Sequence, residues 1–155
     1  MEKVTINWQV KHFTELSIPE YHDLLALRTA VFVVEQDCPY QEVDDKDKVA
    51  YHVFGTNTDN ECVAVARVLP EHISYKEISI GRIAVGKNSR ESGVADELMN
   101  TCFEFIEQHF GKQNIRISAQ QYLTNFYNRH GFKQVSEMYL EDNIPHIEML
   151  KEASE

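Results

Sequence analysis

The chain has 155 residues, with 25 Asp and Glu against 15 Lys and Arg, a formal net charge of −10 and an apolar fraction of 43%. That length suits one domain, residues 1–155, with a sizeable core. The acidic balance argues against nucleic acid as a main partner, and no apolar run is long enough to span a membrane. Cys38, Cys62 and Cys102 show neither metal-ligand spacing nor an even disulfide set, so a reducing, cytoplasmic setting is expected.

Residues 6–10 read as an edge strand with Trp8 turned inward. A helix follows. Ser17 and Glu20 have capping-box spacing, Pro19 sits in the first turn, and Leu24, Leu25, Leu27, Val31 and Phe32 mark the buried side. Arg28 interrupts that band and reads either as an ion-paired helix residue or as a ligand contact. Residues 35–48 are irregular and acidic, with Glu35, Asp37, Glu42, Asp44, Asp45 and Asp47 broken by Cys38-Pro39-Tyr40. Such a run is either a solvated loop or a cover that draws a cation to a pocket. Residues 50–55 and 62–69 read as strands joined by a polar turn.

The stretch from Ile80 organises the rest. Residues 80–85 form a short run rich in β-branched side chains, expected as a buried strand. A loop at 86–89 follows, and from Gly93 to about Phe110 the apolar residues fall at helical spacing. Gly111 stops that helix. A helix start offers unpartnered N–H groups and partial positive charge. Small residues such as Gly93 and Ala95 let an anion approach, and Arg90 adds a charged fork. A pyrophosphate would suit this junction; an ordinary helix start with a glycine is the plainer alternative. Ile115, Ile117 and Ala119 then mark a strand, residues 122–130 a short helix ending at Gly131, and residues 133–140 and 145–150 a final antiparallel pair. Strand, helix, strand around the junction implies one parallel pair.

Arg90-Glu91-Ser92-Gly93-Val94-Ala95 after Arg82-Ile83-Ala84-Val85 resembles the acetyl-coenzyme A signature of the GNAT acetyltransferases. The stretch Gln120-Gln121-Tyr122-Leu123-Thr124-Asn125-Phe126-Tyr127-Asn128-Arg129-His130-Gly131-Phe132 is similar to their second signature. The segments VFVVEQDCPYQEVDDKD and EDNIPH resemble the ElaA-like branch of that superfamily. The resemblance covers nearly the whole chain. It implies an α/β (α+β) fold: a mixed, mostly antiparallel sheet flanked by helices, with one parallel, splayed strand pair holding the cofactor. It also implies acetyl transfer from acetyl-coenzyme A to a small-molecule or peptide amine.

By the family pattern, Tyr127 protonates the leaving thiolate. Ile83, Ala84 and Val85 offer backbone to the pantetheine arm, with their side chains in the core. Residues 90–95, Gln120, Asn125 and Tyr127 complete the cofactor site. Gln120 departs from the Asn common in the family, although its amide can make the same kind of bond. The acceptor site is expected among Arg28, Glu35, Gln36, Tyr40, His52 and His146, since the family builds it partly from the segment after the first helix. His146, His52 and Glu35 are the candidate bases. The seven histidines show no zinc pattern, so no metal is expected. Self-association as a homodimer stays open, and so does a second function: a coenzyme A-binding regulatory module without turnover.

Overall fold

The computed structural model describes residues 5–153. Eight strands form one sheet: β1 (Asn7–His12), β2 (Tyr51–Thr56), β3 (Cys62–Leu69), β4 (Ile78–Val85), β5 (Ile115–Gln120), β6 (Lys133–Gln134), β7 (Tyr139–Glu141) and β8 (Ile144–Lys151). Their order is β1-β2-β3-β4-β5-β8-β6, with β7 also on β8. All pairings are antiparallel except β4 with β5. The helices are α1 (Ile18–Thr29), α2 (Val94–Phe110) and α3 (Thr124–Arg129).

Both faces of the sheet centre are covered, which is why β2 and β3 read as near-continuous apolar runs. Val53, Ala64, Ala66 and Val68 point to the α2 side and pack with Leu98, Met99, Cys102 and Ile106. The residues between them, Phe54 and Val65, point the other way and pack with Leu24 and Val31 of the first helical segment. The period of two along each strand thus separates two half-cores.

Helix α1 begins as expected. The Ser17 hydroxyl accepts from Glu20 N at 3.2 Å and Glu20 Oε1 accepts from Ser17 N at 2.9 Å. Its end is less regular: residues Ala30–Glu35 widen into a π-helical turn, in which Gln36 N donates to Val31 O at 3.2 Å. Such a turn re-aims the residues that leave it, here Glu35, Gln36 and Cys38.

The parallel pairing of β4 with β5 is short, Ile78 to Ile115 and Ser79 to Arg116. Beyond it β4 runs on to Val85 paired only with β3. A register shift opposite Val65–Arg67 and a left-handed Arg82 (φ 49°) mark a bulge in β4. The strand expected over 133–140 is two pieces: β6 pairs with the far end of β8 and β7 with its start. Between them the Ser136 hydroxyl accepts from Glu148 N at 2.8 Å, a side chain taking the place of a ladder carbonyl.

Candidate active site

Where β4 and β5 part, a cavity of about 580 Å³ opens. Ile83, Ala84, Val85, Arg90, Ala95 and Tyr127, expected to hold the cofactor, all line it. Ala84 is buried, while Ile83 and Val85 are half-buried against the α2 half-core. Gly93 caps α2 in the left-handed region (φ 79°) with no side-chain cap, so the first-turn N–H groups are left free of one. A Cβ at Gly93 would meet no atom within 4 Å. The approach to this helix end is therefore open, and that fits a pyrophosphate.

The remaining signature residues are dispersed. Val94 is a core side chain, 1% exposed, and offers the site only its backbone. Glu91 (φ 71°) and Asn125 are exposed and do not line the cavity. Ser92 Oγ donates to Ser89 O at 2.9 Å and so braces the loop. Arg90 is not a free fork: it donates to Glu35 from both Nη atoms at 2.7 and 2.8 Å, and to Val85 O from Nε at 3.0 Å.

This pairing corrects the reading of Glu35 as a base. The Arg90 hydrogen bonds hold its carboxyl below the usual range, so it binds protons poorly. Gln36 and Gln120 form a reciprocal amide pair across the cavity, at 3.3 and 3.2 Å. Cys38 Sγ donates to Asp142 O at 3.4 Å. The segment leaving the π turn thus touches the helix loop, the end of β5 and the β7–β8 turn.

Tyr127 lines the cavity, 5% exposed, and its hydroxyl makes no hydrogen bond among the described residues. Burial pushes its pKa well above the ordinary phenol value. His146 also reaches the cavity, at the start of β8. Its Nδ1 lies 2.7 Å from Ile144 O. A carbonyl can only accept, so Nδ1 donates and Nε2 is the ring nitrogen left to other partners. Glu141 Oε2 stands 3.4 Å from that Nε2.

Arg28 and His52, expected at the acceptor, are not brought to the cavity. Arg28 is 1% exposed and donates to Glu42 Oε2 at 2.6 Å and Asp47 Oδ1 at 3.0 Å. His52 is equally buried, with Nε2 2.9 Å from Asp47 O, and burial lowers its pKa. The acidic segment is likewise no solvated run. Glu42 and Asp47 are buried, and Arg28, Arg67 and Arg82 hold them together with Asp44. Tyr40, expected at the acceptor, does line the cavity, and its hydroxyl donates to Glu42 Oε1 at 2.6 Å.

The cavity residues that escaped the sequence reading include three cations, Lys46, Arg67 and Arg82, and the carboxylate of Glu141. Arg67 and Arg82 were signalled as charges inside apolar strands, where an unpaired arginine is rarely tolerated. Among the described residues no group of three or more His, Cys, Asp or Glu is placed to hold a metal ion.

A mixed sheet with one short parallel pair opening over an uncapped helix start is the GNAT type of fold. Residues 12–153 match the family described as Acetyltransferase (GNAT) domain, and the chain belongs to the GNAT acetyltransferases. Within them it falls in the ElaA-like branch. It is 42% identical over 149 residues to Protein ElaA of Escherichia coli (strain K12), covering 95% of this chain and 97% of that protein. The crystal structure of E. coli ElaA matches with a TM-score of 0.89 at 41% identity, covering 96% of this chain and 100% of that one. An acyl-CoA N-acyltransferase from Pseudomonas aeruginosa matches at 0.90 and 38% identity, covering 95% and 99%.

Proposed function

We propose that this chain moves an acetyl group from acetyl-coenzyme A to an amine by direct attack within a ternary complex. Family membership supports acyl transfer in general. The observation that carries the finer reading is the single cavity, lined on one side by the β4–α2 residues and on the other by Tyr40, Glu141 and His146. In this reading both reactants meet in that one cavity and no acyl-enzyme forms. Acetyl-coenzyme A supplies the activated acyl group as a thioester.

The chain's own groups divide the remaining tasks. The free edge of β4 takes an extended ligand as an added strand would. The α2 start receives the anionic end. Tyr127 stays protonated at any working pH and donates to the departing sulfur. His146 accepts the proton of the attacking amine at Nε2, where Glu141 favours the resulting cation.

The test is release of free thiol from acetyl-coenzyme A across a panel of amines. Amine-dependent release is expected, and His146→Gln should lower it. Coenzyme A binding without release for any amine would leave a binding module and sink the catalytic reading.

A further inference from the structure

We propose that the acceptor carries a carboxylate besides its amine, and that Arg67 reads it with a free edge of its guanidinium. This rests on the acyl-transfer reading above and names its substrate class. Arg67 lines the cavity and is 5% exposed. Its hydrogen bonds all leave from Nη1, to Asp44 Oδ1 at 2.7 Å and Asp47 Oδ1 at 3.0 Å. Its Nε is buried and has no partner among the described residues, and Nη2 on the same edge has none either. That Nε–Nη2 edge is the fork that grips a carboxylate through two parallel hydrogen bonds. A buried donor left unpaired is costly, and a ligand that supplies the acceptor removes the cost.

The neighbours point the same way. Arg82 gives Nε and Nη2 to Glu42 and Asp44 and keeps Nη1 free among the described residues. Lys46 donates to Ser74 Oγ at 2.8 Å and has no ion-pair partner among the described residues. Arg28, Arg67 and Arg82 balance Glu42, Asp44 and Asp47, so Lys46 is the charge left over on this wall. The surplus belongs to this wall alone: Glu141 and Asp142 line the same cavity and pair with no Lys or Arg among the described residues. A monoanion suits one surplus charge on that wall better than a phosphate dianion does. Arg67 pairs with Gly81, two residues before Ile83. At about 3.3 Å per residue along β4, the anion would sit within an amino acid's length of the coenzyme segment.

The experiment measures thiol release with matched acceptors: glycine against glycinamide, tyrosine against tyramine, and phosphoethanolamine as a phosphate arm. Each acid is expected to exceed its uncharged partner in kcat/KM by about tenfold to a hundredfold, chiefly through KM. Lys46→Met, at an exposed position, should raise KM for the acids roughly twofold to fivefold. Arg67→Lys keeps the charge, loses the fork and should erase most of the preference. Equal or better turnover of the amides, or a preference for phosphoethanolamine, overturns the carboxylate and leaves acyl transfer standing. If no amine is acetylated, N-acetylglycine and N-acetylglycinamide are titrated by calorimetry with coenzyme A present. Tighter binding of the acid then supports the Arg67 site, and equal or absent binding overturns it. The missing thiol release would count separately against acyl transfer.

Discussion

The phenol of Tyr127 has no hydrogen-bond partner among the described residues, and burial keeps its proton on. Removing the hydroxyl leaves the ring packed in the α2 half-core. Tyr127→Phe should fold normally, bind acetyl-coenzyme A almost unchanged, and lose about a hundredfold to ten-thousandfold in kcat. Single-turnover kinetics reads this directly, and a wild-type chemical step would make Tyr127 a packing residue. The arginine cluster gives a second residue-scale expectation. Burial raises the Asp47 carboxyl, but hydrogen bonds from Tyr21, Arg28 and Arg67 outweigh it and hold the pKa below the usual value. Burial lowers the His52 pKa as well. Both groups bind fewer protons in the folded state, so both cost stability as pH falls. The His52 loss begins as pH drops through about 6.5, and the Asp47 loss follows in the carboxylate range below about 4. Urea unfolding at a series of pH values should show two limbs. His52→Gln, which does not titrate, should lose the first. Asp47→Asn leaves Arg28 and Arg67 short of a buried partner and should cost about 3 to 5 kcal/mol at neutral pH.

At the scale of elements, β1 closes one edge of the sheet against β2. It can do so because Gly55 has no side chain. A Cβ there would lie 2.6 Å from Ile6 Cγ2 and 2.7 and 2.8 Å from the Trp8 ring. Gly55→Ala should therefore push β1 off and destabilise by about 1 to 3 kcal/mol. A Tm equal to wild type would mean that the edge strand adapts freely. Gly93 is the opposite case. A Cβ meets nothing in the chain, but φ 79° disfavours any side chain. Gly93→Val should lose coenzyme A affinity strongly by calorimetry while circular dichroism stays native. Unchanged affinity would move the pyrophosphate elsewhere. For the acidic segment, neutralising Glu42 and Asp44 together should loosen the arginine cluster and lower Tm, whereas a mere cover for the pocket would leave Tm unchanged. Melting curves distinguish the two.

Across the whole molecule, the parts legible in the sequence were those specified by local pattern. The Ser17–Glu20 cap and the strand–loop–helix around Gly93 rest on neighbours within a few residues, while the place of Tyr127 came from the resemblance of its segment to a family signature. The parallel β4–β5 pair followed from the handedness and length of the helical crossover. What stayed hidden depends on partners far apart in the chain. Arg67 meets Asp44 and Asp47 across 23 and 20 positions, and Gln36 meets Gln120 across 84. The split of the last strand turns on one Ser136 hydroxyl, which carries no periodic signal. Charge composition misled for the same reason, because it counts the carboxylates of residues 35–48 without the arginines folded onto them.

The short β4–β5 pairing has a further consequence. Among the described residues, one edge of a central strand lacks a β partner from Ile80 to Val85, so the sheet is unfinished in its middle as well as at its rims. An extended ligand laid there completes the ladder. Amide hydrogens at the cleft should exchange with solvent readily in the free protein and slow on coenzyme A binding, while those of β2 and β3 stay protected throughout. Unfolding should become ligand-dependent as well, with about 2.7 kcal/mol gained at a hundredfold excess over Kd. Under the proposed function the ligand would act as a ninth strand, one that arrives and departs with each turnover.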